Sequence, residues 1–216
     1  MSILIEFLKQ YELNDIIISK YNNVLTKPNI KKLTVSKKFN INKKNLFFYL
    51  YYICKYNTFE YNHEMENKEK FACIELVRNN ADILKGHKIS KINFEEDLLY
   101  SKNINLGTLK ILCAYNNISI VLLYNKCYYH FDYGTNITCY DTLQKSVEFD
   151  IDSDKLNVIK KNYYYLDKTD KPLYNISYYK VEDLRGIASK LDISYTNFKL
   201  KKDLYEAIRK KLTQMI

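Results

Sequence analysis

The chain of 216 residues contains no tryptophan, only four glycines and two prolines. Four glycines are too few for a phosphate-cradling loop, where the backbone must approach a nucleotide closely and glycine is the residue that permits it. Histidine is scarcer still: His63, His87 and His130 stand apart and make no zinc-ligand spacing with the cysteines. The five cysteines, Cys54, Cys73, Cys113, Cys127 and Cys139, are odd in number and lack a C-x-x-C pair. That excludes a disulfide framework and predicts reduced thiols in an intracellular compartment. The sequons at Asn117, Asn136 and Asn175 are expected to stay unmodified for the same reason.

Long apolar runs are missing too. The longest, LFFYLYYIC at 46–54, spans nine residues, about half of the eighteen or more that suggest a membrane span, so none is expected and the protein should be soluble. The opening MSILIEFLKQYEL places Glu6 and Lys9 among its apolar residues and lacks a basic leader and a small-residue cleavage site. It predicts an amphipathic helix and no secretory signal. Acidic residues are absent from 16–59, where nine lysines occur. Three lysine pairs, Lys31-Lys32, Lys37-Lys38 and Lys43-Lys44, recur every six residues. An extended chain would return each pair to one side, giving either a basic ridge or the solvated lysines of an edge strand.

What is present is positive charge and tyrosine. Thirty-four Lys and Arg against 25 Asp and Glu give a formal charge of +9, and there are 22 tyrosines. The charge favours anionic partners, nucleic acid first and an acidic membrane surface second. Abundant Asn, Lys, Ile and Tyr suggest an A+T-rich coding sequence, which lowers the weight of any single lysine.

Apolar periodicity predicts an α+β fold with a mainly helical N-terminal half, an antiparallel β-hairpin or sheet, and a small all-α helical hairpin at the end. Asn45-LFFYLYYICKYN is apolar almost all round and reads as a buried helix. NKEKFACIELVRNNADILKGH carries Phe71, Ile74, Val77, Ala81 and Leu84 in helical register, with a stop at Gly86. A third helix, Thr108-LKILCAYNN, leads into ISIVLLY and CYYHF, a hairpin turning at Asn125-Lys126. Further strands are expected at 136–139, 157–159 and 163–166. The charged, turn-forming Asp167-Lys-Thr-Asp-Lys-Pro172 predicts a boundary between a domain at 1–166 and a module at 177–216.

Catalytic and metal constellations are weak. Asp150, Asp152 and Asp154 alternate like the first ligands of an EF-hand, but Lys155 stands where glycine is needed and Lys161 where the closing Glu belongs. The order of buried helix, further helices and a strand bearing Tyr129-His130-Phe131-Asp132 resembles papain-like and ovarian-tumour-type cysteine proteases. The resemblance implies a thiolate at the central helix's N-terminus, yet Lys43-Lys44-Asn45-Leu46-Phe47 contains no cysteine. A catalytically silent version of that fold is one reading of the α+β domain at 1–166; no catalytic residue, no cofactor, no metal and no evident small-molecule substrate are expected.

The last forty residues carry the clearest pattern. Val181, Leu184, Ala188 and Leu191 line one face of a short helix, and Leu204, Ile208, Leu212 and Met215 line a second. Leu191-Asp192-Ile193 ends the first, a connector of seven residues follows (194–200), and Lys201-Lys202-Asp203-Leu204-Tyr205-Glu206-Ala207-Ile208 opens the second. This resembles the SAP motif and, in spacing, the SAP-like N-terminal domain of the terminator Rho. SAP modules bind nucleic acid, usually DNA, near the start of their second helix. Carried over by position, the resemblance implies phosphate contacts at Lys199, Lys201 and Lys202 with Arg185 and Arg209 as flanks. The connector departs from the pattern in one respect: it reads Ser194-Tyr195-Thr196-Asn197-Phe198 where many SAP motifs carry glycine.

The texture of the whole chain, in LFFYLYYI, LKILCAYNNISIVLLYNKCYY and Lys171-Pro-Leu-Tyr-Asn-Ile-Ser-Tyr-Tyr-Lys180, resembles uncharacterised proteins of nucleocytoplasmic large DNA viruses. That implies a viral accessory or virion-associated protein of the host cytoplasm or the virion. The expected function is non-enzymatic nucleic-acid binding, DNA ahead of RNA. The alternatives are a structural protein whose tail docks another viral protein, and a cysteine-hydrolase relative.

Overall fold

A computed structural model describes residues 37–38, 45–80, 82–87, 89–168 and 171–215. The N-terminal helix expected at the start of the chain, Lys31-Lys32 and Lys43-Lys44 lie outside them. Lys37-Lys38 forms strand β1, hydrogen-bonded in antiparallel register to Ser146 and Val147 at one edge of the sheet.

Five of the helices start where a side chain receives a free backbone N–H group. Asn45 accepts from Phe48 to open α1 (Leu46–Tyr56), and Asn62 accepts from Met65 to open α2 (His63–Asn79). Helix α3 (Asp82–His87) follows. Ser90 then caps α4 (Lys91–Tyr100) and Asn105 caps α5 (Leu106–Tyr115). Strands β2 (Ser119–Tyr124) and β3 (Cys127–Phe131) make the expected hairpin, with Asn125 at φ 53° in its turn. After β4 (Ile137–Asp141) and β5 (Ser146–Glu148), Asp152 caps α6 (Ser153–Asn162), which leads into β6 (Tyr164–Tyr165). A 3-10 turn at Ile176–Tyr178 precedes α7 (Val181–Lys190) and α8 (Lys201–Met215).

The fold is α+β. The strands lie in the order β1-β5-β4-β2-β3-β6. The hairpin and the β5 pairings are antiparallel, but β2–β4 and β3–β6 are parallel, so the sheet is mixed where an antiparallel one was expected. Strand alternation divides the side chains between two cores. Ile120, Leu122, Tyr129, Phe131 and Tyr140 join the large core with α1, α2, α4 and α5, whereas Val121, Leu123, Tyr128 and Cys139 meet Leu156 and Ile159 of α6 on the other face.

Three local expectations fail for physical reasons. Residues 157–159 are helical, because Asp152 caps the turn and Leu156 and Ile159, three apart, both reach the sheet. The helix expected across 67–87 is interrupted after Asn79, and Gly86 lies within α3 instead of ending a longer helix. Phe71 is 59% exposed, while Glu69 and Lys70 take the buried face of α2, where α1 supplies partners. Helix α4 and strand β5 carry no strong period and went unforeseen.

The scarcity of glycine has a structural counterpart. Among the described residues no glycine has positive φ; the left-handed positions belong to Asn57, Asn117, Asn125, Lys145, Asp150 and Asp192. Asn and Asp tolerate that conformation better than other side chains.

The helical pair is not set off by a break in the core. Leu184, Ala188, Leu191, Leu204, Ile208 and Leu212 are buried in the same cluster as Phe48, Leu109 and Tyr129, and Leu166 and Leu173 continue that cluster on both sides of the expected 167–172 boundary. The described residues all belong to one compact unit.

Candidate nucleic-acid interface

Helix α7 begins with the Asp183 carboxylate accepting the Lys180 N–H at 2.7 Å. It ends in a Schellman arrangement: Ile193 N–H donates to Ala188 O at 2.8 Å and Asp192 N–H to Ser189 O at 3.2 Å, with Asp192 at φ 55°. Asp192 thus fills the place glycine takes in many such caps. Its carboxylate also meets Lys126 Nζ at 2.7 Å, and Lys190 Nζ donates to Lys160 O at 2.8 Å. These contacts tie the end of α7 to the hairpin turn and the end of α6.

The connector turns again at Tyr195, where Phe198 N–H donates to Tyr195 O at 3.2 Å. Phe198 packs against the large core. Helix α8 then starts after Leu200, a residue 63% exposed with no side-chain acceptor. Among the described residues no side chain caps the N–H groups of Lys201, Lys202 or Asp203. The positive end of a helix of 15 residues therefore faces solvent.

Lys199 and Lys202 are exposed and Lys201 half-buried around this start. None of the three is ion-paired to a described residue, and neither is Arg185, which is exposed on α7. Arg209 differs from them. Its guanidinium meets Glu206 at 2.9 Å, and it sits eight residues beyond Lys201, about 12 Å along the helix. Lys199, Lys201 and Lys202 thus fall within four residues at the start of α8, and Arg209 lies about two turns further along it.

The position a protease nucleophile would occupy is built differently. At the start of α1 the buried Asn45 carboxamide accepts Phe48 N–H at 3.3 Å and Ile104 N–H at 3.2 Å and donates to Glu66 at 3.4 Å, joining three segments. His130 shares its side of β3 with Tyr128, facing α6 and not α1. Burial lowers its pKa, with Asp132 acting the other way, and its Nε2 is buried without a hydrogen-bond partner. Burial also pushes the thiols of Cys54, Cys73, Cys127 and Cys139 up to about 12, and Cys113 well above the ordinary range. Cys54 lines a polar cleft of about 320 Å³ with Asn57, Asn117, Asn136 and Asp150, at the far end of α1 from Asn45. Asp152 is used as a helix cap. Among the described residues no group of three or more His, Cys, Asp or Glu could hold a metal, and no helix is long and apolar enough to cross a membrane.

Two features escaped sequence reasoning. One is a buried charge network between α1 and α2, in which Glu69 accepts from Tyr51 Oη at 2.8 Å, Lys55 Nζ at 2.7 Å and Tyr56 Oη at 2.5 Å. Its only trace in the sequence is charge on what becomes a buried face. The other is a stacked pair of tyrosines, Tyr174 and Tyr178, beside α8; their i, i+4 spacing was visible but had no helix to give it meaning. No family model, curated protein or solved structure matches the chain.

Proposed function

We propose that residues 177–216 form a SAP-like module that binds nucleic acid, DNA ahead of RNA, without catalysing a reaction, and that the mixed sheet and its helices are the scaffold on which the module is mounted. One observation carries this reading: the start of α8 is uncapped and carries Lys199, Lys201 and Lys202, which have no carboxylate partner among the described residues, against one exposed acid, Asp203, in the first turn. Free backbone N–H groups, the helix dipole and an excess of cations at one helix end are a combination suited to a phosphate. The setting, a viral accessory or virion-associated protein of the host cytoplasm or the virion, rests on the sequence resemblance alone. A non-catalytic role is supported by Asn45 in the nucleophile's place and by thiols held protonated.

The test is duplex DNA binding by the full chain and by single Lys-to-Ala variants. Lys202→Ala should weaken binding more than Arg209→Ala, because Arg209 already has Glu206. Equal losses would reduce the interface to general charge. A tail that docks a viral protein instead would leave duplex binding unchanged in every variant. Removal of residues beyond 177 is a poor test, since it would strip Leu184, Leu204, Ile208 and Leu212 from the core.

A further inference from the structure

We infer that the module takes single-stranded nucleic acid in particular, with an unpaired base stacked on Tyr178; this rests on the reading of the α8 start as a phosphate site. Tyr178 is 69% exposed, yet its ring packs against two others. One face lies on Tyr174, with centroids 4.6 Å apart and planes at 29°, and Tyr179 meets it edge-on at 5.2 Å. Tyr174 beneath it is held by several contacts. Tyr174 N–H donates to Tyr179 Oη at 3.0 Å, Tyr174 Oη donates to Asp167, and Lys168 Nζ lies 4.7 Å from the Tyr174 centroid.

The ledge is joined directly to the basic helix start. Tyr205 of α8 donates from its hydroxyl to Tyr174 O at 2.8 Å. Lys201 and Lys202 precede Tyr205 by four and three residues, so they share its side of the helix, about one turn or 6 Å nearer the N-terminus. An aromatic face open to solvent, linked through Tyr174 and Tyr205 to a helix that opens with cations, offers the two kinds of contact a single strand needs, stacking for a base and charge for a phosphate. In a duplex the bases are already stacked on one another and present no free face to the ring. Among the acids around the site, Asp167 is engaged by Tyr174 and Asp183 by the Lys180 N–H, while Glu182 and Asp203 are exposed and set against the exposed Lys168, Lys171 and Lys202.

The chain has no tryptophan, so Tyr178→Trp installs a single reporter at the ledge. The probes are a thymidine 20-mer, a uridine 20-mer and a mixed-sequence duplex, titrated into the full chain at low salt. Both single strands should quench the indole emission of Tyr178→Trp saturably, whereas Tyr100→Trp, at a site 81% exposed at the end of α4, should show no saturable quenching. Tyr178→Ala should weaken single-strand binding by about 5- to 150-fold, the usual range for losing one base–aromatic stack, with duplex affinity unchanged and binding retained in Tyr178→Phe. Quenching by the thymidine strand but not the uridine strand would confine the site to DNA. Single-strand affinity unchanged in Tyr178→Ala, or single-strand and duplex affinities lowered alike, overturns the ledge. If Tyr178→Ala has no effect while Lys202→Ala weakens binding, the ledge alone is wrong. If neither alters binding, or no probe binds, the module reading falls with it.

Discussion

Glu69 offers the sharpest quantitative test of the fold. Its carboxylate is 4% exposed at the α1–α2 interface and receives hydrogen bonds from Tyr51, Lys55 and Tyr56. Burial by itself would raise its pKa, but the Lys55, Tyr56 and Tyr51 donors outweigh that effect and hold the carboxyl below its ordinary value. Replacing it with Ala leaves one cation and two hydroxyls without their acceptor. Losing one member of a buried ion pair costs about 3–5 kcal/mol. Lys55 keeps 26% of its side chain in water and can rehydrate, so the lower end of that range is expected. The assay is urea unfolding followed by circular dichroism, with the slope m unchanged. The sign of the pH effect follows from the depressed pKa: the contribution is complete above the unfolded carboxyl value of about 4.3 and is lost as pH falls through the lower folded value. Glu69→Gln should therefore flatten the acid limb of the stability curve. A loss below about 1 kcal/mol, a range typical of exposed pairs, or an acid limb identical in Glu69→Gln, would refute the reasoning.

Three other outcomes follow from packing and burial. Ile208→Ala, at a fully buried position in α8, should cost about 2–5 kcal/mol and shift a single cooperative transition, because the helical pair shares the large core; a separate early transition for the tail would restore an independent domain. Gly134→Ala should destabilise severely, since a Cβ there would lie 2.0 Å from Asn117 O; a thermal midpoint unchanged from the parent would contradict that contact. With thiols pushed up to about 12 or beyond, all five cysteines should react with a disulfide reagent far more slowly in the native chain than in urea at neutral pH. Stoichiometric labelling of native Cys54 by an electrophilic ubiquitin or peptide probe would return the hydrolase reading.

Strong periodicity made much of the molecule legible. The almost wholly apolar α1, the β2–β3 hairpin and the two faces of α7 and α8 were readable because their side-chain pattern and their burial agree. Residues 157–159 misled because Val and Ile favour strands, while the cap four residues before Leu156 sets a helix. Strand pairing across distance, such as β2 with β4, left no local mark, so the mixed sheet could not be read from the hairpin alone. The continuity of the core past residue 172 was hidden because a charged turn looks the same between two domains as between two elements of one. At the interface, residue type and order located Lys199, Lys201 and Lys202, but only coordinates separate them from Arg209, whose carboxylate neighbour lies three residues away. Tyr178 could be noticed in sequence and not interpreted, since its value depends on Tyr174 beneath it and Tyr205 beside it.

The salt dependence of duplex binding tests the central claim most directly. Logarithmic plots of affinity against salt for the full chain and for the Lys199, Lys201 and Lys202 triple alanine variant should both be linear. Each phosphate contact removed lowers the slope by about 0.9 for duplex DNA, so the variant should lose roughly 2.7. Equal slopes in the two proteins would mean that the start of α8 does not hold phosphate.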